Sequence, residues 1–246
     1  MHHRDEQGRR LPFLVWRFPE NWRAASSAAV GGGIGDRAWI LNAQVAPDYA
    51  RTDLAAHIAA LARSTGIDAD PDPDPDSGPG CGSDGSGVGL LTAADVTHAT
   101  DVHDAGVVVR ASVGIRLPVL AGTSEPWTVP APLTLRPGTI NLVVLVPHPL
   151  TDGALVNVLT SVTEAKVQAL FEAGVRGTGT ASDAIVVACP RAAAAPERDP
   201  FGGPLSTWGG SAARASYAAV LAGVAHSRAV MAAEAGGDAS AEEISG

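Results

Sequence analysis

A lysine, three hydroxyls and a carboxylate crowd into residues 166–183: Lys166, Thr178, Thr180, Ser182 and Asp183. Amide hydrolysis needs a nucleophile or a positioned water, a proton carrier, and donors for the developing oxyanion, and this set could supply them. The lysine stands out by composition. Of 17 basic residues, 16 are arginine and one is lysine. It lies in Thr151–Gly174, where a period near 100° per residue puts Leu155, Leu159, Val162, Lys166, Ala169 and Leu170 on one side of a helix. A bare ammonium in such a stripe is costly. A lysine that buries only its stem and lets its head reach water fits the same spacing. The run Gly177–Asp183, GTGTASD, lets backbone approach a ligand closely and carries hydroxyls and an acceptor. A plain turn with its own side-chain-to-backbone bonds fits equally.

Other clusters carry less. Asp95, His98, Asp101, His103 and Asp104 have spacing compatible with a divalent cation but fix no full ligand set; no metal is expected. Val30–Gly35, VGGGIG, does not open a helix and so is no dinucleotide fingerprint. The segment Phe201–Gly209, with Gly202, Gly203 and Trp208, suits either the flank of a flat ligand or a packed loop. Cys189 ends an apolar strand and reads as a small buried hydrophobe; Cys81 falls in a Gly/Asp/Ser tract and reads as exposed.

The elements that must position these groups read as mixed α and β. Strands are expected at 12–18, 38–45, 139–146 and 184–188, with a hairpin from 88–99 to 106–115. Helices are expected at 52–65, 151–174 and 210–234, the last broken near Gly223. A faint echo links Asn42 with its strand, helix and loop to Asn141 with the same succession. The expected fold is α+β: one domain over residues 11–235, a mixed sheet packed by about three helices, a disordered acidic insertion at 68–87, and flexible termini at 1–10 and 236–246. The net charge of −9 is local: Asp68, Asp70, Asp72, Asp74, Asp76 and Asp84 lie in the insertion, and Asp238, Glu242 and Glu243 in the tail. The body is therefore near neutral, which argues against a nucleic-acid surface. No apolar run approaches the ~20 residues of a membrane span, and the charged N-terminus lacks a signal-peptide core, so a cytoplasmic protein is expected.

The segment Pro137–Asp183, with its TINL, TEAK and GTGTASD pieces, resembles the adenosylcobinamide amidohydrolase (CbiZ) family; Gly32–Val45, Val88–Asp95 (VGLLTAAD) and Phe201–Gly209 (FGGPLSTWG) support the resemblance. It implies hydrolysis of the amide joining aminopropanol, or its phosphate, to a propionate arm of the corrin ring, giving adenosylcobyric acid in cobamide salvage. The corrinoid is then the small-molecule substrate and no cofactor is implied. A non-catalytic corrinoid-binding protein is the alternative. Under the hydrolytic reading Lys166 is the base toward Thr180 or Ser182. Asp183 orients the lysine or the leaving amine, and Asn141 donates to the oxyanion. Asp95, Asp152, Glu164, Gly177, Thr178, Gly179, Gly202, Gly203 and Trp208 are expected to contact substrate. Glu164 and Lys166, two residues apart, fall on opposite sides of their helix. The histidines at 98 and 103 lie outside the resembling motifs. A homo-oligomer stays open.

Overall fold

The computed structural model describes residues 1–69, 86–123, 138–191 and 197–243. Most of the acidic insertion, Cys81 and part of the connection at 191–200 lie outside the described residues.

The chain opens with β1 (His2–Glu6) and β2 (Arg9–Ser26), joined at Gln7 and Gly8, whose φ angles of 53° and 73° make the two-residue turn that suits strand twist. Met1–Arg10, expected to be loose, is therefore mostly strand, registered from His2–Phe13 to Glu6–Arg9. Next come β3 (Gly33–Gln44), α1 (Leu54–Ser64), β4 (Gly87–Thr92), β5 (Thr100–Asp104) and β6 (Val107–Val113). Then follow β7 (Ile140–Leu145), α2 (Asp152–Glu172), β8 (Ala184–Cys189) and α3 (Thr207–Glu243). The eight strands form one mixed sheet in the order β4-β3-β2-β8-β7-β6-β5, with β1 beside β2. With three helices against it, this bears out the α+β expectation.

Two β–α–β units organise the sheet: β3 and β4 pair in parallel around α1, and β7 and β8 pair in parallel around α2. The echo in the sequence corresponds to these two units. Side-chain alternation sorts their faces. Ile140, Leu142, Val144, Ile185 and Val187 pack beneath α2 and α3. Trp39, Leu41 and Ala43 pack beneath α1. The alternate residues Ile40, Val88, Leu90, Val143 and Val186 meet one another between the two halves of the curled sheet. The order from outside to outside is helix, sheet, sheet, helix. The long strand β2 links the halves: it pairs with β3 along most of its length and with β8 only at Arg23–Ser26, after a register shift between Arg17 and Trp22.

Three further expectations are corrected. The hairpin joins β5 to β6 through Ala105 and Gly106, both at positive φ, while 87–92 pairs in parallel with β3 instead. The last helix is unbroken at Gly223, where a side chain would fall 2.5 Å from Val113 Cγ2; that glycine lets α3 lie close on the sheet. The helix continues through Glu243, so Gly236 does not begin a disordered tail.

Candidate functional site

Helix α2 begins where Thr151, in extended conformation, accepts a bond from the Ala154 N–H at 3.2 Å. Its buried stripe is Ala154, Leu155, Val158, Ser161, Val162, Ala165, Lys166, Ala169 and Leu170. Burying a Leu or Val side chain stabilises by roughly 1.5–3 kcal/mol, so the stripe fixes how the helix is rotated. That rotation carries the lysine inward: Lys166 is 7% exposed. Its Nζ donates to Asp183 Oδ2 at 2.6 Å, with side-chain exposures of 8% and 10%. The lysine does not snorkel.

Asp183, just ahead of β8, is a hub. Oδ2 takes Lys166 Nζ and the Thr180 N–H at 3.1 Å; Oδ1 takes the Ile140 N–H at 2.9 Å and the Thr180 hydroxyl. One carboxylate thus ties α2, the entry of β7 and the 177–183 loop together. Beside it Ser182 Oγ lies 3.0 Å from Thr139 Oγ1. Gly179 is required here, since a Cβ would stand 2.3 Å from Asp183 Oδ2 and 2.7 Å from Lys166 Nζ. A buried ion pair with one partner removed costs about 3–5 kcal/mol, because an uncompensated charge stays behind.

Lys166, Thr180, Ser182, Asp183 and Gly179 are therefore brought together, and the remaining candidates are placed as follows. Gly177 packs on Pro118, 2.7 Å from where its Cβ would be. Thr178 is bound to the 119–121 segment, donating its N–H to Val119 O at 2.8 Å and accepting from Ala121 N–H at 2.9 Å. Asn141 faces the inner layer, on the side of β7 away from α2. Its amide nitrogen is spent on Asn42 Oδ1 at 2.9 Å and Leu91 O at 3.0 Å, and Asn42 in turn donates to Ser112 Oγ. That placement does not direct an oxyanion donor at Lys166. Asp152 is clamped by Arg23, whose Nε and Nη2 donate to its two oxygens at 2.9 and 2.6 Å; this pairing holds the Asp152 carboxyl below its usual range. Glu164 is exposed, opposite Lys166. Gly202 lets its loop touch α2, with Ala154 O 2.1 Å from a would-be Cβ. Gly203 O accepts from Ser206 at the start of α3. Trp208 stacks on His148 at 5.4 Å between ring centroids. These last contacts fasten elements to each other.

Asp95 lies elsewhere, capping the turn Val96–His98. Its Oδ1 accepts the Thr97 N–H at 2.8 Å and its Oδ2 lies 3.1 Å from His98 Nδ1. Asp101 pairs with Arg110 and Asp104 with Arg214, so the acidic residues of that stretch are separately partnered. Among the described residues no group of three or more His, Cys, Asp or Glu is placed to hold a metal ion. Among them too, no helix is long and apolar enough to cross a membrane. Cys189 is fully buried and burial pushes its thiol up to about 11, consistent with a packing role. Sequence reasoning missed Thr139, the Ile140 N–H and Asn42, whose parts depend on strand neighbours that no local pattern reveals.

A family model described as adenosylcobinamide amidohydrolase matches residues 1–73 and 79–232. A curated adenosylcobinamide amidohydrolase from Halobacterium salinarum is 38% identical over 101 residues, 41% of this chain and 43% of that relative. The chain thus aligns with less than half the length of that protein. Among solved structures, the L-aminopeptidase D-Ala-esterase/amidase of Ochrobactrum anthropi matches over 89% of this chain and 80% of that one, at 15% identity and a TM-score of 0.35, a likeness too loose to argue from.

Proposed function

This chain belongs to the adenosylcobinamide amidohydrolase family, and on that premise we propose that it hydrolyses the amide between the corrin propionate arm and aminopropanol, or its phosphate. Water adds across the C–N bond, releasing adenosylcobyric acid and the amino alcohol. The corrinoid is substrate, no cofactor is used, and the reaction is a cytoplasmic salvage step carried out by a single domain. The observation that supports this reading is the buried Lys166–Asp183 pair, which shares one carboxylate with the Thr180 hydroxyl in the 177–183 loop.

That carboxylate orients both groups. Lys166 Nζ reaches Asp183 Oδ2 at 2.6 Å, so it donates in this arrangement and presents positive charge to the loop. As the neutral amine, Lys166 acts as base toward Thr180 or Ser182 Oγ. Restored, the ammonium stabilises negative charge on the carbonyl oxygen, a contribution that low-dielectric surroundings strengthen. One observation favours a second reading, a corrinoid-binding protein without chemistry: both Asp183 oxygens are already filled by protein donors.

Incubating the purified chain with adenosylcobinamide, with mass spectrometry of the products, decides between them. Conversion to adenosylcobyric acid is expected. Tight binding with the substrate recovered intact would transfer the assignment to the binding protein, and neither binding nor conversion would end both readings.

A further inference from the structure

A cavity of about 230 Å³ opens at the end of the sheet where β3, β4 and β6 finish and β7 starts; it is lined by Asp95, His98, Gly138, His226 and Glu234, among others. Its wall at Gly138 continues directly into Thr139, bonded to Ser182, and Ile140, whose N–H is bonded to Asp183. The cavity and the lysine hub therefore flank the same three residues of chain.

The two places have complementary chemistry. The hub has charge and hydroxyls, and its carboxylate is already taken by four protein donors. Amide hydrolysis must also protonate the departing nitrogen. The cavity holds the missing type of group. His98 Nδ1 lies 3.1 Å from Asp95 Oδ2, and its ring stacks on His226 at 4.5 Å between centroids, 17° from parallel. A carboxylate on one ring nitrogen fixes the tautomer and leaves the other nitrogen to work. The side chain keeps 56% of its surface, so it can be reprotonated from water. Asp95 and Thr97 on its own turn, Arg116 after β6, and His226 and Glu234 from α3 are charged, titratable or hydrogen-bonding groups around it, and His3 of β1 and Arg10 of β2 line the hollow on the far side of Asp95 and Thr97.

We infer that His98, oriented by Asp95, is the general acid that protonates the leaving amine, with the amino-alcohol end of the substrate amide in this cavity. The inference rests on the hydrolase reading. In the step, the C–N bond breaks, its electron pair takes the proton from His98 Nε2, and the neutral imidazole regains a proton from the water that completes the hydrolysis.

His98→Asn keeps a donor toward Asp95 and removes the nitrogen that carries the proton. Turnover of adenosylcobinamide should fall by about 10²–10⁴-fold, the usual worth of a positioned acid, with little change in KM. The alkaline limb of the pH–rate profile should vanish with it. A corrinoid carrying the same arm as a p-nitrophenyl ester, whose phenolate departs without protonation, should react at nearly the wild-type rate in the variant, which a misfolded or merely loosened site would not allow. A His98→Asn enzyme with wild-type kcat and pH profile on adenosylcobinamide overturns the assignment and leaves the hydrolase reading standing; wild-type protein with no turnover overturns both.

Discussion

Lys166 was legible because one cation in an apolar stripe is a conflict that a fold must resolve, and seventeen positions on, Asp183 resolves it. Gly179 was legible as a glycine but not for its reason, which is that two side chains cross the space its Cβ would fill. Gly179→Ala should push Lys166 from Asp183 and cost about 1–3 kcal/mol, the usual price of overpacking. Denaturant unfolding should show that loss together with a drop in turnover, and an unchanged midpoint would mean the loop relaxes freely. Asn141 is placed by tertiary structure rather than by its sequence neighbours. Its type suits an oxyanion donor, but the strand's alternation turns it to the inner layer, where Asn42 and Leu91 take its amide protons. Which groups stand opposite a residue is a fact of tertiary structure that its neighbours in sequence do not encode.

Elements differ in how plainly the chain announces them. Helix α2 has a capping threonine, an apolar period and a glycine just past its end, and its span matches expectation closely. Thr151→Ala should cost about 1 kcal/mol, read as a lowered unfolding midpoint. The hairpin and the supposed break at Gly223 failed because both hang on long-range contacts: β4 takes its partner from β3, and α3 uses Gly223 for close approach. The Arg23–Asp152 clamp joins α2 to β2 and gives a pH dependence with a definite sign. The folded carboxyl is held below its ordinary value, so the unfolded chain binds the proton more readily. The clamp's contribution is present above the ordinary carboxylate range and fades as pH drops through it. Urea midpoints measured from pH 6 down to pH 3 should fall less steeply in Asp152→Asn than in wild type, and parallel slopes would remove the clamp from the acid response.

At the scale of the whole molecule, fold class followed from composition and periodicity, whereas strand order did not. The partnership of β2 with both β3 and β8 couples residues far apart in the chain, and only that pairing sets the two β–α–β units face to face. The stretch at 70–85 lies between α1 and β4, and β4 pairs in parallel with β3. Halving that stretch should change stability by about 0.6 kcal/mol, because closure entropy varies slowly with length. A shift of several kcal/mol in the unfolding free energy would show that the stretch packs against the body. Hydrolysis should likewise survive exhaustive chelation, since the lysine hub and the imidazole supply charge and protons without a metal; activity lost to chelator and restored by a divalent ion would contradict that.

Catalysis here turns on the buried ammonium–carboxylate pair being the reacting centre. The most direct measurement is single-turnover conversion of adenosylcobinamide by Lys166→Met, beside the double variant Lys166→Met/Asp183→Asn, in which no charge is left stranded and folding is checked by circular dichroism. Both variants should bind the corrinoid and release no adenosylcobyric acid. Product formed by either at the wild-type rate would show that the chemistry happens without this lysine.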